Sequence, residues 1–93
     1  MKLDILTPEK TLFSGDADSV TLPGTLGAFT ILPNHAPMIS SLRPDHTLSY
    51  TQEGKTESIV IGGGFVEVRN NHIIVCAEAK TEAPELKEQL SNP

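Results

Sequence analysis

Turn-forming residues interrupt this sequence so often that its first three-quarters has no room for a long helix. Short runs rich in Val, Ile, Leu and Thr are separated by Gly, Pro, Asn and Asp at intervals of about eight to twelve residues. In residues 17–22, Val20 and Leu22 alternate with Ser19 and Thr21, which is typical of a half-buried strand. The pattern predicts an all-β fold, a sandwich of about ten antiparallel strands.

Several turns can be placed from residue type alone. Glu53-Gly54 and Asn70-Asn71 are predicted to join neighbouring strands as tight hairpins, because Gly and Asn tolerate left-handed backbone conformations. Residues 14–16 and Pro23-Gly24 are predicted to end the strands before them. Residues 62–64 are all Gly and predict a bulge or a close crossing of chains.

The apolar positions of these runs define a predicted core. The most apolar run, residues 73–77, is expected to be a central strand, and Cys76 within it a small buried thiol. We expect the core to include Leu3, Ile5, Val20, Leu22, Ile31, Ile61, Val68 and Val75.

Composition excludes several classes of function. The net charge is −5, and Lys and Arg are scattered, so nucleic acid is not expected as a partner. No apolar run approaches the roughly 20 residues that cross a bilayer, and the first residues lack the apolar region of a signal peptide. One cysteine gives no reason to expect disulfides or export.

The composition changes after Glu78. Residues 79–90 are rich in helix formers, with Leu86 and Leu90 one helical turn apart. An isolated helix this short is marginal in water. We therefore expect a sandwich domain in residues 1–80 and a short helical or disordered tail in residues 81–93.

Motifs for catalysis, cofactor binding or metal binding are not found in the sequence. Residues 24–27 lack the Gly-Lys-Ser/Thr ending of a phosphate-binding loop and are interpreted as a turn. His35 lies in a loop between Pro33 and Pro37, where its ring is expected to bond the loop backbone. Ser40, His35 and Asp45 supply a triad by residue type only, as most β domains do.

A set of short motifs resembles a known family. The motifs are Thr7-Pro8-Glu9, Phe13-Ser14-Gly15, Val20-Thr21-Leu22-Pro23-Gly24, Gly27, Ile31-Leu32-Pro33-Asn34-His35-Ala36-Pro37 and Gly63-Gly64-Phe65-Val66-Glu67-Val68. In this order and at this spacing, over residues 2–80, they closely resemble the epsilon subunit family of F-type ATP synthases.

The resemblance implies a ten-stranded β-sandwich, a role and two partners. The role is that of a non-catalytic rotor subunit in the central stalk, which holds gamma, sits on the membrane c-ring and couples ion-driven rotation to ATP synthesis. In a bacterium it would lie at the cytoplasmic face of the inner membrane, held there only through the complex. By similarity, the gamma interface would include Thr7, His35, Met38 and Ser40, and the c-ring interface Thr25, Leu26, Gly27 and Ala28.

Three departures from the family pattern change what the resemblance implies. Ala28 and Thr30 stand where the family often has an acidic residue and a glycine, which puts a charge contact with the ring in doubt. Pro44-Asp45 replaces a more usual Pro-Gly turn. The family's C-terminal helical hairpin is not expected in residues 81–93, and neither inhibition by a tail nor ATP binding is expected.

Two other functions remain open from the residues alone. One is a free-standing sandwich that binds a small ligand in a pocket between its sheets. The other is a small hydrolase that uses His35, which would require turnover that is lost in His35→Ala. Copurification with gamma, against ligand uptake by a monomer, separates the first of these from the rotor subunit.

Overall fold

The computed structural model describes residues 1–79, and these residues form strands joined by short turns. The predicted boundary between residues 80 and 81 and the predicted tail lie outside the described residues. In chain order the strands are β1 Lys2–Leu6, β2 Thr11–Asp16, β3 Ser19–Gly24, β4 Gly27–Ile31, β5 Met38–Leu42, β6 His46–Gln52, β7 Lys55–Arg69 and β8 His72–Ala79.

The strands form one hydrogen-bonded sheet that folds into two layers, which share β7 and meet again where Gly24 of β3 pairs with Leu42 of β5. The front sheet has the order β2, β1, β8, second half of β7, β5, and the back sheet has the order β4, β3, β6, first half of β7. The predicted all-β sandwich is confirmed, with eight strands rather than about ten. The pairs are antiparallel except that β1 and β8 run parallel, with Ile5 opposite Val75. This pairing joins the first strand of the chain to the last one described.

The change of layer occurs at the triple glycine. The register of β7 against β8 shifts between Ile61 and Gly64, and Gly63 and Gly64 have φ angles of 111° and 149°. A Cβ atom at Gly64 would lie 2.6 Å from the Cα of Ala77, which no side chain permits. The irregularity predicted for residues 62–64 is therefore a bulge within one long strand, β7.

The hairpin turns lie where the sequence predicts them, but two strands do not end where it predicts. Glu53, Asn70 and Asn71 have positive φ, as tight turns require. The predicted stop at residues 14–16 is wrong, because these residues pair with residues 2–4 of β1. The predicted stop at Pro23-Gly24 is also wrong, because both residues pair with β4.

The core lies between the two sheets. All eight residues predicted to be inside are at most 2% exposed. Further members are Leu42, Leu48, Val66 and Ile73, and the tilted rings of Phe13 and Tyr50 close one end at 4.4 Å between ring centroids. These side chains fill the space in which a ligand between the sheets would have to bind.

Candidate functional site

The outer surface of the front sheet carries aligned rows of side chains that cross several strands. Cross-strand partners on one side of a sheet lie about 4.5–5.5 Å apart and act together. One row is apolar and consists of Leu6, Cys76 and Phe65, with Ser41 at the β5 end. The next row mixes polar and apolar groups and runs Ser14, Asp4, Ile74, Glu67, Ile39.

Two of these side chains are large, apolar and exposed. Ile39 is 73% exposed and Phe65 is 49% exposed. Leu6, Ile74 and Cys76 are partly covered. We call Leu6, Ile39, Phe65, Ile74 and Cys76 the apolar face. Exposed apolar residues that lie next to each other on one surface mark an interaction site more often than scattered ones do.

Two of the depressions along the apolar face are lined by its most exposed side chains, Phe65 and Ile39. The larger, which we call the Cys76 depression, has a volume of about 450 Å³. The smaller, of about 360 Å³, lies beside Ile39. The Cys76 depression is lined by Leu6, Thr7, Pro8, Gly63, Gly64, Phe65, Cys76, Ala77 and Glu78, and the smaller one by Pro37, Met38, Ile39, Glu67, Val68 and Arg69.

The predicted gamma-interface residues lie around this face. Thr7 lines the larger depression and Met38 the smaller one. Nδ1 of His35 donates a hydrogen bond to the carbonyl of Ala36 at 2.8 Å, as expected for a ring bonded to its own loop. Ser40 is opposite the buried Val66 and is half-buried. Of these four positions, Thr7 and Met38 therefore border the face at its depressions, whereas Ser40 lies on the same side of β5 as the buried Leu42.

Sequence reasoning missed Ile39 and Phe65. Met38, Ser40 and Leu42 are opposite Val68, Val66 and Gly64, so this side of β5 faces inwards. Ile39 is opposite Glu67 and faces outwards. The alternation of side chains could have placed Ile39 outside, once Val66 and Val68 were recognised as buried partners of β5.

The four predicted c-ring residues form the tip of the β3–β4 hairpin. Thr25, Leu26, Gly27 and Ala28 are all exposed, and Leu26 is as accessible as in an extended chain. The tip is held against β5, since the amide of Thr25 donates to the carbonyl of Ser41 at 3.2 Å. The tip is therefore a short, firmly held projection with an aliphatic side chain at its end.

A polar network links three strands beside the apolar face. Asp4 accepts one hydrogen bond from Ser14 Oγ at 2.6 Å and one from His72 Nε2 at 2.7 Å. These bonds, first that of Ser14 and then that of His72, hold the pKa of Asp4 below its ordinary value. Both carboxylate oxygens are thus used inside the sheet, where they join β2, β1 and β8.

The described residues bring no catalytic set together. Nδ1 of His46 bonds the carbonyl of Pro44 and Ser40 Oγ bonds the carbonyl of Ser41, while His35 bonds Ala36, so the Ser40, His35, Asp45 triad is not assembled. His, Cys, Asp and Glu side chains in residues 1–79 form no group of three able to hold a metal ion. No helix in the same residues is long and apolar enough to cross a membrane.

The cysteine differs from its prediction. Cys76 is partly exposed rather than buried, because β8 presents it to the outer surface, in line with Leu6 and Phe65. The inner side of the same strand carries Ile73, Val75 and Ala77. An apolar run therefore contributes to the core and to the apolar face at once.

Comparison with protein families assigns the chain. Residues 1–83 match the family described as ATP synthase, delta/epsilon chain, beta-sandwich domain. The chain belongs to this family. The resemblance carried by the turn and strand motifs is thereby confirmed.

Curated relatives bear the same family name. The chain is 45% identical over 85 residues to the ATP synthase epsilon chain of Pelotomaculum thermopropionicum, covering 91% of this chain and 63% of the relative. It is 38% identical over 86 residues to the ATP synthase epsilon chain of Anaeromyxobacter sp. strain K, covering 92% and 64%. The chain thus spans less than two thirds of the length of these relatives.

Solved structures show the same fold. A chain in the Euglena gracilis mitochondrial ATP synthase, a structure of OSCP, F1 and c-ring, gives a TM-score of 0.76 at 22% identity, covering 96% of this chain and 62% of that chain. A chain in the central stalk and c-ring structure from Tetrahymena thermophila gives 0.72 at 17% identity, covering 83% and 62%. The sandwich is conserved in shape where sequence identity is low.

Proposed function

We propose that this chain is a non-catalytic central-stalk subunit of an F-type ATP synthase, linking gamma to the c-ring and coupling ion-driven rotation to ATP synthesis. The observation that carries the proposal is that the two most exposed large apolar side chains of this family member, Ile39 and Leu26, lie on one outer face and at one hairpin tip. In a bacterium it would lie at the cytoplasmic face of the inner membrane. It would be held there by its partners and would bind neither nucleic acid nor ATP.

The apolar face is the proposed gamma interface. Ile39 and Phe65 would be its anchors, because large side chains that lose their exposure on binding carry most of the energy of an interface. Thr7, His35, Met38 and Ser40 would lie around them and exclude water. The two-layer sandwich supplies a rigid support, so little conformational entropy is lost on binding.

The tip of the β3–β4 hairpin is the proposed c-ring interface. No charged residue occurs from Ser19 to Leu42, a stretch that includes this hairpin and β5. The contact would therefore depend on Leu26 and on backbone groups rather than on an ion pair. Because screening acts on charges, such a contact changes little with salt.

A binding experiment tests the gamma interface. Ile39→Arg should weaken copurification with gamma and raise the Kd about tenfold or more, since a charge would replace an apolar anchor. Thr47→Arg is the matched control on the outer surface of the back sheet and should bind normally. Unchanged affinity of Ile39→Arg in a folded chain would show that gamma binds elsewhere, and uptake of a small ligand without gamma would favour the free-standing sandwich.

A crosslinking experiment tests the proposed c-ring interface at the tip of the β3–β4 hairpin. Leu26→Cys in a Cys76→Ser background should crosslink to the polar loops of the c-ring in the assembled complex. Ser58→Cys in the same background is the control on the back sheet. Crosslinks from Leu26→Cys to the catalytic head alone would reverse the proposed orientation.

A further inference from the structure

The Cys76 depression is open because its floor is backbone. Gly63 and Gly64 contribute no side chains, and a Cβ atom at Gly64 would overlap the carbonyl oxygen of Cys76. The walls are carbon-rich, formed by Leu6, Pro8 and Phe65 among others. This is a concave, apolar surface whose shape is fixed by the β7 bulge.

The depression also carries little charge. Glu78 is the one charged residue among its lining residues. The hydroxyl of Thr7 is already used in its own turn, where it donates to the carbonyl of Lys10 at 2.8 Å and accepts from the Lys10 amide at 3.0 Å. An incoming group would meet an apolar cavity with one carboxylate at the rim, which is complementary to an apolar side chain next to a basic one.

The depression is continuous with the rest of the apolar face. Phe65 forms one of its walls and is opposite Ser41 on β5, one strand away. Ile39 lies on the same side of β5 as Ser41, two residues along. A partner that covers Ile39 and Phe65 therefore reaches the depression without bending around an edge.

We infer that the gamma subunit places an apolar side chain in the Cys76 depression and a basic residue beside Glu78, while Ile39 projects from this chain into gamma. This inference rests on the proposed function. It adds a recess in this chain to the exposed side chain of Ile39, and the two together fix how gamma is aligned on the apolar face. A partner with a flat surface at this position would leave the cavity empty, and one without a basic residue would leave Glu78 unpaired.

The single cysteine makes the inference measurable without substitution. Cys76 of the native chain would be alkylated with N-ethylmaleimide, free and in complex with gamma. We expect the rate in the complex to fall about tenfold or more, because a side chain in the depression covers the thiol. An unchanged rate in a complex that forms normally overturns the inference and leaves the proposed function intact. Failure of the complex to form overturns both.

Filling the depression gives a second measurement. Cys76→Phe should raise the Kd for gamma about tenfold, a change of about 1.4 kcal/mol, since the new ring occupies the space that gamma needs. Ser58→Phe, which leaves the depression open, should bind as the native chain does. Melting temperatures within a few degrees of the native chain establish that both variants fold. Native affinity of Cys76→Phe overturns the inference.

Glu78 tests the charge at the rim. Glu78→Lys should weaken gamma binding more than Glu57→Lys, a matched change at an exposed position of the first half of β7. The difference should shrink at high salt because exposed charges are screened. Equal affinities of the two variants at low salt would show that gamma has no basic residue beside Glu78.

Discussion

The two outer surfaces of the sandwich differ in chemistry although both are made by alternating strands. The front sheet presents the apolar face, with Ile39 and Phe65 exposed, beside charged groups such as Asp4 and Glu67. The back sheet presents hydroxyl groups in cross-strand rows. One row is Thr30, Thr21, Ser49, Ser58, and another is Ser19, Thr51, Thr56.

The difference shows which surface requires a partner. On the back sheet, hydroxyls pair with each other across strands, Thr21 with Thr30 at 2.8 Å and Thr51 with Thr56 at 3.2 Å, and the remaining bonds can go to water. On the front sheet, large apolar side chains remain in water, and covering them is favourable by about 25 cal/mol per Å². The back surface, where Val60 is 37% exposed, therefore gains less from being covered than the front surface, where Ile39 is 73% and Phe65 49% exposed.

The largest expected effect tests the assignment of inner and outer sides on which this comparison depends. Val75→Asp should unfold the chain, because an unpaired buried carboxylate costs several kcal/mol, comparable to the whole stability of a small domain. Ser58→Asp, on the outer surface of the back sheet, should change stability by about 0.5 kcal/mol or less. Circular dichroism and thermal melting measure both. A folded Val75→Asp would contradict the assignment.

An intermediate effect tests the bulge that separates the two surfaces. Gly64→Ala should reduce the free energy of unfolding by about 3 kcal/mol or more, because its Cβ has no space and φ is positive. Gly54→Ala, also at positive φ but with no atom within 4 Å of its Cβ, should cost about 1 kcal/mol. Urea unfolding gives both values. Equal losses of unfolding free energy would mean that the close approach of Gly64 to β8 adds nothing to the cost of the substitution.

The smallest effect compares the polar networks of the two surfaces. The pKa of Asp4 is lowered by Ser14 and then by His72, so Asp4 adds stability that is present above its unfolded value of about 3.8 and is lost as pH falls through the folded pKa. Asp4→Asn should therefore be less stable than the native chain at pH 7, and the gap should close towards pH 2.

The matched control for this comparison is on the back sheet. Thr21→Val removes a hydroxyl pair without an ionisable group and should cost about 0.5–1.5 kcal/mol. That loss should not change with pH, because neither partner titrates. A gap for Asp4→Asn that is equally constant with pH would show that the carboxylate charge has no part in joining the three strands.

The sequence by itself determined the strands, the tight turns and the core. Alternation placed Val20 and Leu22 inside, and the backbone preferences of Gly and Asn placed the hairpins at Glu53-Gly54 and Asn70-Asn71. These features depend on dihedral preference and on side-chain period, which act between residues close in sequence.

The tertiary structure alone decided which strands are neighbours and which surfaces are exposed. The parallel pairing of β1 with β8 brings residues about 70 positions apart into contact and places Cys76 in line with Leu6. Ile39 and Met38 are adjacent and both apolar, so only the pairing of β5 with β7 shows that Ile39 faces outwards. Long-range pairing is set by the packing of the whole core, which no local pattern of residues encodes.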